Sequence, residues 1–274
     1  MNFWVQLYEI CKTPMTKPTL YGWFHLLFLV LSIAAGVLLV VTHKKGDDAR
    51  VRRAVFVTGL LVLLLEIYKM FCFHFQMVGD RLVFDFQWYV FPWQFCSTPM
   101  YISILAGVFK KGKIHNSLMA FLATYAIFAG VCILVYPGIV FTSTLGLNIQ
   151  TMICHGAMLS IGIYLYASGY VKAETKTLVR AIPVFASCAA LAVLLNELVY
   201  YTVELGDDSF NMFYFSRHFP GTLPLYSDLQ KAVPYPVAFV VYLAVFTLAA
   251  YLMMLIAKGI QKLARKCRKK EAEA

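Results

Sequence analysis

The sequence predicts an all-α polytopic membrane protein, about seven transmembrane helices in one bundle. Three observations predict it. Of the 274 residues, 61% are hydrophobic and 14% charged, whereas soluble domains are roughly half apolar. Runs of about 20 apolar residues, enough to cross ~30 Å of hydrocarbon, recur along the chain. Lysine and arginine crowd into alternate connections between these runs, the usual signature of insertion into a membrane.

Residues 1–19 carry Trp4, Glu9, Lys12 and Lys17 with two prolines. They read as an interfacial segment rather than a cleavable leader, which would need an uninterrupted apolar stretch. A transmembrane domain follows over 20–257, with spans expected at about 20–42, 54–76, 87–109, 115–137, 148–170, 177–203 and 233–257. Pro92 and Pro99 should kink the third, because proline removes a donor and crowds the preceding turn. Residues 258–274 form a basic tail. No stretch is long and polar enough for a second, soluble domain.

Orientation follows from counting cations. The segments 43–53, 110–114, 171–180 and 258–274 hold 18 Lys and Arg; the intervening ones hold 5. The richer side is expected to be cytoplasmic, giving a multi-pass cell-membrane protein with its amino end outside and its carboxyl end inside. The net charge of +10 is thereby assigned to lipid headgroups and not to nucleic acid. Seven cysteines, an odd number without a CxxC, argue against a disulfide framework or a zinc site. No metal and no cofactor are expected.

Ionisable side chains in hydrocarbon cost several kcal/mol and ask for a partner or a purpose. At ~1.5 Å per helical residue, His25, Glu66, Lys69, Gln94, Cys96, His155, Asn196 and Glu197 all fall roughly 8–15 Å below the outer surface. The inner halves of the spans are almost purely aliphatic and aromatic. Polar groups gathered at one depth suggest a chamber open toward the outer leaflet; the plainer alternative is interhelical hydrogen bonding. Glu66 and Lys69, three apart, share a helix face and should neutralise each other. Cys96 and His155 are the sharpest pair, since a cysteine becomes a nucleophile when a histidine takes its proton. Cys154 points about 100° away from His155 on an ideal helix and is the poorer partner. The long 204–232 connection, rich in aromatics and carrying Asn211, Arg217 and His218, reads as a lid dipping into the headgroup region or as an ordinary interfacial loop.

The runs EIYKM at 66–70, QWYVFPWQFCSTPMY at 87–101 and ICHGAMLSIGIYLY at 153–166, with FNMFY at 210–214, resemble the YwaF family of bacterial integral membrane proteins. More distantly, the chain is similar to animal transmembrane lipid acyltransferases of ether-phospholipid remodelling. Those pair a cysteine early in one span with a histidine nearly sixty residues on, which Cys96 and His155 match in type, order and spacing. Gln94, Phe95, Ser97 and Thr98 depart from that group's usual neighbours of the cysteine.

The resemblance implies a lipid acyltransferase or acyl-ester hydrolase acting on membrane lipids near the outer leaflet, with Cys96 as nucleophile and His155 as base. Gln94 or Asn196 would supply oxyanion donors. The competing expectation is a small-solute transporter, a receptor-like protein or a membrane scaffold using the same polar cluster for binding. Matching broken helix pairs, the mark of common transporter designs, are missing from the sequence, and the 233–257 span has no lysine for a retinal Schiff base.

Overall fold

A computed structural model describes residues 3–42, 47–219, 221, 223 and 225–273, with backbone only from residue 264 onward. Lys44, Lys45 and the tail cations beyond Lys262, which contributed to the charge count, lie outside the described residues and side chains.

A short helix, α1 (Phe3–Cys11), precedes α2 (Trp23–Thr42) and α3 (Asp48–His74). Asp47 caps α3, its carboxylate accepting from the Ala49 and Arg50 N–H groups, which would otherwise lack partners in the first turn. At its far end α3 passes into a small antiparallel hairpin, β1 (Phe75–Val78) and β2 (Arg81–Phe84), with Phe75 opposite Phe84. After an irregular stretch come α4 (Thr98–Val108), α5 (Lys113–Phe121), a π turn (Leu122–Ala126), α6 (Ile127–Val135), α7 (Leu145–Ala167), α8 (Thr175–Thr202), the short α9 (Tyr226–Ala232) and α10 (Tyr235–Glu273). The stretch Lys113–Val135 crosses as one rod. Among the described residues, 6 helices are long and apolar enough to cross a membrane. The protein is all-α and polytopic, as the sequence predicts.

The third crossing departs from the expected helix over 87–109. Only α4, 11 residues long, is α-helical. Residues 87–97 descend as irregular chain with a single 3-10 turn at Trp88–Val90. The register along α3 shows that this segment still covers the full depth: Gln87 N–H donates to His74 Nδ1 at 2.9 Å, Ser97 Oγ reaches Glu66, Ile104 faces Gly59 and Gly107 faces Phe56. Pro92 cannot donate to a helical ladder, and Pro99 is placed where a helix tolerates it, in the first turn of α4. Irregular backbone at membrane depth survives only where protein satisfies it; here the Trp88 N–H donates to the Asp208 carboxylate, and the Pro92 carbonyl accepts from Tyr101 Oη at 3.0 Å.

The rod α5–α6 and helix α7 form the centre of the bundle, and α2, α8 and α10 surround it with exposed apolar faces turned outward. Close approach depends on glycine. A Cβ on Gly156 would stand 2.2 Å from Ser32 Oγ, and one on Gly130 would stand 2.7 Å from the His155 carbonyl oxygen. Both contacts hold α7 tightly against α2 and α6, and they bracket the position of His155.

The α1 segment packs on the C-terminal end of α3: Tyr68 Oη donates to the Cys11 carbonyl at 2.6 Å and Lys12 Nζ to the Cys72 carbonyl at 3.1 Å.

Candidate functional site

The irregular 87–97 segment, α3, α7 and residues 213 and 214 converge around Cys96. Glu66 is buried and its Oε1 lies 2.5 Å from Lys69 Nζ, so the two form the ion pair that their spacing suggests. Ser97 Oγ donates to the same carboxylate oxygen at 3.4 Å. The residue beside the cysteine is thereby tied to α3. In the sequence Ser97 stands out only as a departure from the acyltransferase group's pattern; its hydroxyl, one residue from Cys96, was the available signal.

His155 is buried, and its Nδ1 lies 2.7 Å from the Thr151 carbonyl oxygen. A carbonyl only accepts, so the neutral ring carries its proton on Nδ1 and presents a lone pair at Nε2. That Nε2 is buried without a hydrogen-bond partner, an exception among buried polar atoms that calls for an explanation. No hydrogen bond joins it to Cys96 among the described residues. Each side chain lies within electrostatic reach of the Lys69 charge. Cys96 is partly exposed, and its own backbone N–H faces its sulfur. Cys154 packs with Val62 and Met100, its sulfur accepts from Gln150 Nε2 at 3.4 Å, and it lies within electrostatic reach of Glu66, Lys69 and Cys96.

Gln94 and Asn196 do a different job from the one expected of oxyanion donors. Gln94 Nε2 donates to the Asn211 carbonyl at 3.2 Å, and its Oε1 accepts from the Phe213 N–H at 3.1 Å. Asn196 Nδ2 donates to the Met212 carbonyl at 3.1 Å, and its Oδ1 accepts from the Met212 N–H at 2.7 Å. Two side-chain amides thus replace a missing secondary structure for the 211–213 backbone, whose groups would otherwise be buried and unpaired. Phe213 and Tyr214 are held with φ at 60°, a region that bulky residues adopt only when their surroundings enforce it. Phe210, Met212, Phe213 and Phe215 are fully buried. The middle of the long connection is therefore packed into the bundle, and Phe213 touches Phe95 beside the cysteine, ring centroids 5.7 Å apart.

The remaining expected residues fall elsewhere. Asn211 organises its own loop, accepting from the Ser216 N–H at 2.8 Å and donating to the Phe219 carbonyl at 3.2 Å. Glu197 turns to the outside of α8, bonded to Arg217 Nη2 at 2.6 Å and His218 Nε2 at 3.1 Å, while the His218 ring stacks on Tyr200. These three pin the loop to α8 and do not join Glu66 and Lys69. His25 accepts from the Tyr21 N–H at Nδ1 and donates from Nε2 to the Leu134 carbonyl at 2.7 Å. Both ring nitrogens are spent joining α2 to the end of α6, so His25 stands apart from the cluster around Cys96.

Tyr242 has a buried hydroxyl without a partner, and it and Tyr214 lie within electrostatic reach of Cys96. Neither was singled out in the sequence, where tyrosines in an aromatic-rich chain carry no distinguishing spacing. Among the described residues no group of His, Cys, Asp and Glu has the arrangement of a metal site.

A bundle of apolar helices with one broken crossing, closed over a buried ion pair, cysteine and histidine, defines a class: a polytopic α-helical membrane protein with a polar interior. A family model narrows it further. The TMEM164 family model matches residues 20–255, and the chain belongs to that family. No curated protein and no solved structure matches it.

Proposed function

We propose that the protein is a lipid-active acyl-transfer enzyme with Cys96 as nucleophile and His155 as general base. The observation that carries this reading is the unpaired, buried Nε2 of His155, its lone pair left free by the Nδ1 bond to Thr151, on the residue next to Cys154, which lies within electrostatic reach of the partly exposed Cys96. The likeness to the YwaF family and to animal transmembrane lipid acyltransferases, in residue type, order and spacing, points the same way.

In this reading the Cys96 thiol proton passes to His155 Nε2, and the thiolate attacks the carbonyl carbon of a fatty-acyl ester. The tetrahedral oxyanion collapses, the ester C–O bond breaks, and the leaving alkoxide takes the proton back from Nε2. The resulting thioester is then attacked by a hydroxyl of a lysolipid or by water, whose proton His155 accepts in turn and returns to the departing sulfur. Gln94 and Asn196 are engaged with the 211–213 backbone, so the roles of stabilising anionic sulfur and oxyanion fall to the Cys96 N–H and the Ser97 hydroxyl, while the Lys69 charge is offset by its partner Glu66. An apolar acyl chain suits the aromatic wall of Phe95, Phe213 and Tyr242.

The test is to trap the thioester. Membranes containing the full chain are incubated with a phospholipid bearing an alkyne-tagged acyl chain, quenched, and the tag read on the protein with and without neutral hydroxylamine. The expected result is a hydroxylamine-labile tag on Cys96, lost in Cys96→Ala, strongly reduced in His155→Ala and retained in Cys154→Ala. A tag that persists in Cys96→Ala, or one absent from the parent with every acyl ester offered, overturns the reading.

A further inference from the structure

At the end of the bundle opposite Cys96, two adjoining cavities of about 230 and 280 Å³ share the wall Val171, Lys172 and Glu174. Three elements bring cations to them: Lys111 from the α4–α5 connection, Lys172 and Arg180 from the α7–α8 connection and the first turns of α8, and Lys258 and Lys262 from α10. Glu174 is the single carboxylate lining either cavity. None of the five cations has a salt bridge among the described residues, although Arg50 and Arg52 at the same end are paired with Asp47 and Asp48. Five like charges gathered around one carboxylate repel one another until an anion joins them.

The walls are built rather than incidental. Tyr170 Oη donates to Asp48, His115 Nε2 lies 2.7 Å from the same hydroxyl, and Lys111 Nζ sits over the Tyr170 ring at 5.8 Å. Thr177 Oγ1 donates to the Lys172 carbonyl at 2.7 Å and fixes the turn that carries it. Gln261 Nε2 donates to the Tyr166 carbonyl at 2.9 Å, which docks α10 on α7 and places Lys258 and Lys262 on either side of the joint. Immediately toward the middle of the bundle, Leu252, Leu255 and Ile256 of α10 and Val179 and Ile182 of α8 are exposed apolar residues. Cationic cavities on the same helices as these exposed apolar residues match a ligand with a phosphate at one end and hydrocarbon at the other.

We infer that this end of the protein holds the headgroup of an anionic phospholipid: the phosphate lies in the cavity lined by Lys172, Lys258 and Lys262, with Lys111 and Arg180 in the adjoining one, and the acyl chains run along the exposed apolar residues of α10. Basic pockets between helices recognise such headgroups by charge and hydrogen bonding together. The site is separate from the Cys96 neighbourhood and stands whether or not the acyl-transfer reading does.

The experiment uses the full chain purified in phosphatidylcholine nanodiscs, with phosphatidylglycerol or inorganic phosphate as the added probe and the thermal midpoint as the readout. A triple variant, Lys172→Ala, Lys258→Ala and Lys262→Ala, is compared with a charge-matched control, Arg53→Ala, Lys113→Ala and Lys176→Ala, whose positions lie outside both cavities. Expected is a saturable rise in midpoint with phosphatidylglycerol that the control retains and the triple variant loses, with inorganic phosphate giving little. An equal loss in both variants would mean general surface attraction, saturation by inorganic phosphate alone would mean a soluble anion, and no response in the parent would mean no site. Each of these overturns the assignment to a lipid. If the triple variant fails to fold, native mass spectrometry of the parent decides, retention of phosphatidylglycerol over phosphatidylcholine supporting the site and equal retention sinking it.

Discussion

The ring Nδ1 of His155 lies 2.7 Å from the carbonyl oxygen of Thr151, one turn earlier on the same helix. That bond sets the tautomer and leaves Nε2 as a buried, unpaired base. Removing the ring should slow proton abstraction from a nearby thiol by about 10²-fold or more. With Cys96 as the only cysteine, His155→Ala is expected to lower its rate of maleimide labelling by that factor at neutral pH. An unchanged rate would show that the histidine does not act on this cysteine.

Glu66 and Lys69 should behave as structural partners. Breaking a buried pair leaves one uncompensated charge and costs about 3–5 kcal/mol, whereas removing both charges is far less damaging. Glu66→Gln and Lys69→Met are each expected to lower the yield and thermal midpoint of folded protein, and the double substitution to recover much of the loss. Singles that melt like the parent would contradict the buried pair.

The 211–213 backbone depends on two amides. Asn196→Leu removes both partners of Met212, and Gln94→Leu removes those of Asn211 and Phe213. Each unmade buried bond costs about 1–3 kcal/mol. Limited proteolysis should therefore cut the 204–232 connection faster in both variants, before the rest of the bundle opens. Equal cutting rates would mean that the loop is held by its aromatic packing alone.

Gly130 sets the distance between α6 and α7. A methyl there meets the His155 carbonyl oxygen at 2.7 Å and Met158 Cβ at 2.9 Å, and overpacking of this kind costs about 1–3 kcal/mol. Gly130→Ala is expected to lower the thermal midpoint and to alter Cys96 labelling together, since backbone and not a flexible side-chain tip must move. A silent substitution would show that α6 and α7 separate freely.

The charge asymmetry gives a topology prediction. Single cysteines at Asp207 and at Lys176 should label from opposite sides of the membrane, the first from outside and the second only after permeabilisation. Labelling from one side by the same reagent would refute the crossing number or the orientation.

The sequence by itself determined the membrane class, the order of the crossings and the Glu66–Lys69 pair. Each of these rests on local chemistry: span length against hydrocarbon thickness, cations beside span ends, and a three-residue spacing on one helix. Depth could likewise be read from the sequence, and it placed Cys96 and His155 at one level. Rotation about each helix axis could not be read, and depth alone therefore grouped His25 and Glu197 with residues they do not meet. Only the tertiary structure decided that Gln94 and Asn196 clasp a loop more than a hundred residues and sixteen residues away, respectively. It alone broke the third crossing into irregular chain and a short helix, because buried backbone takes whichever partners the packed neighbours offer, and those neighbours are distant in sequence.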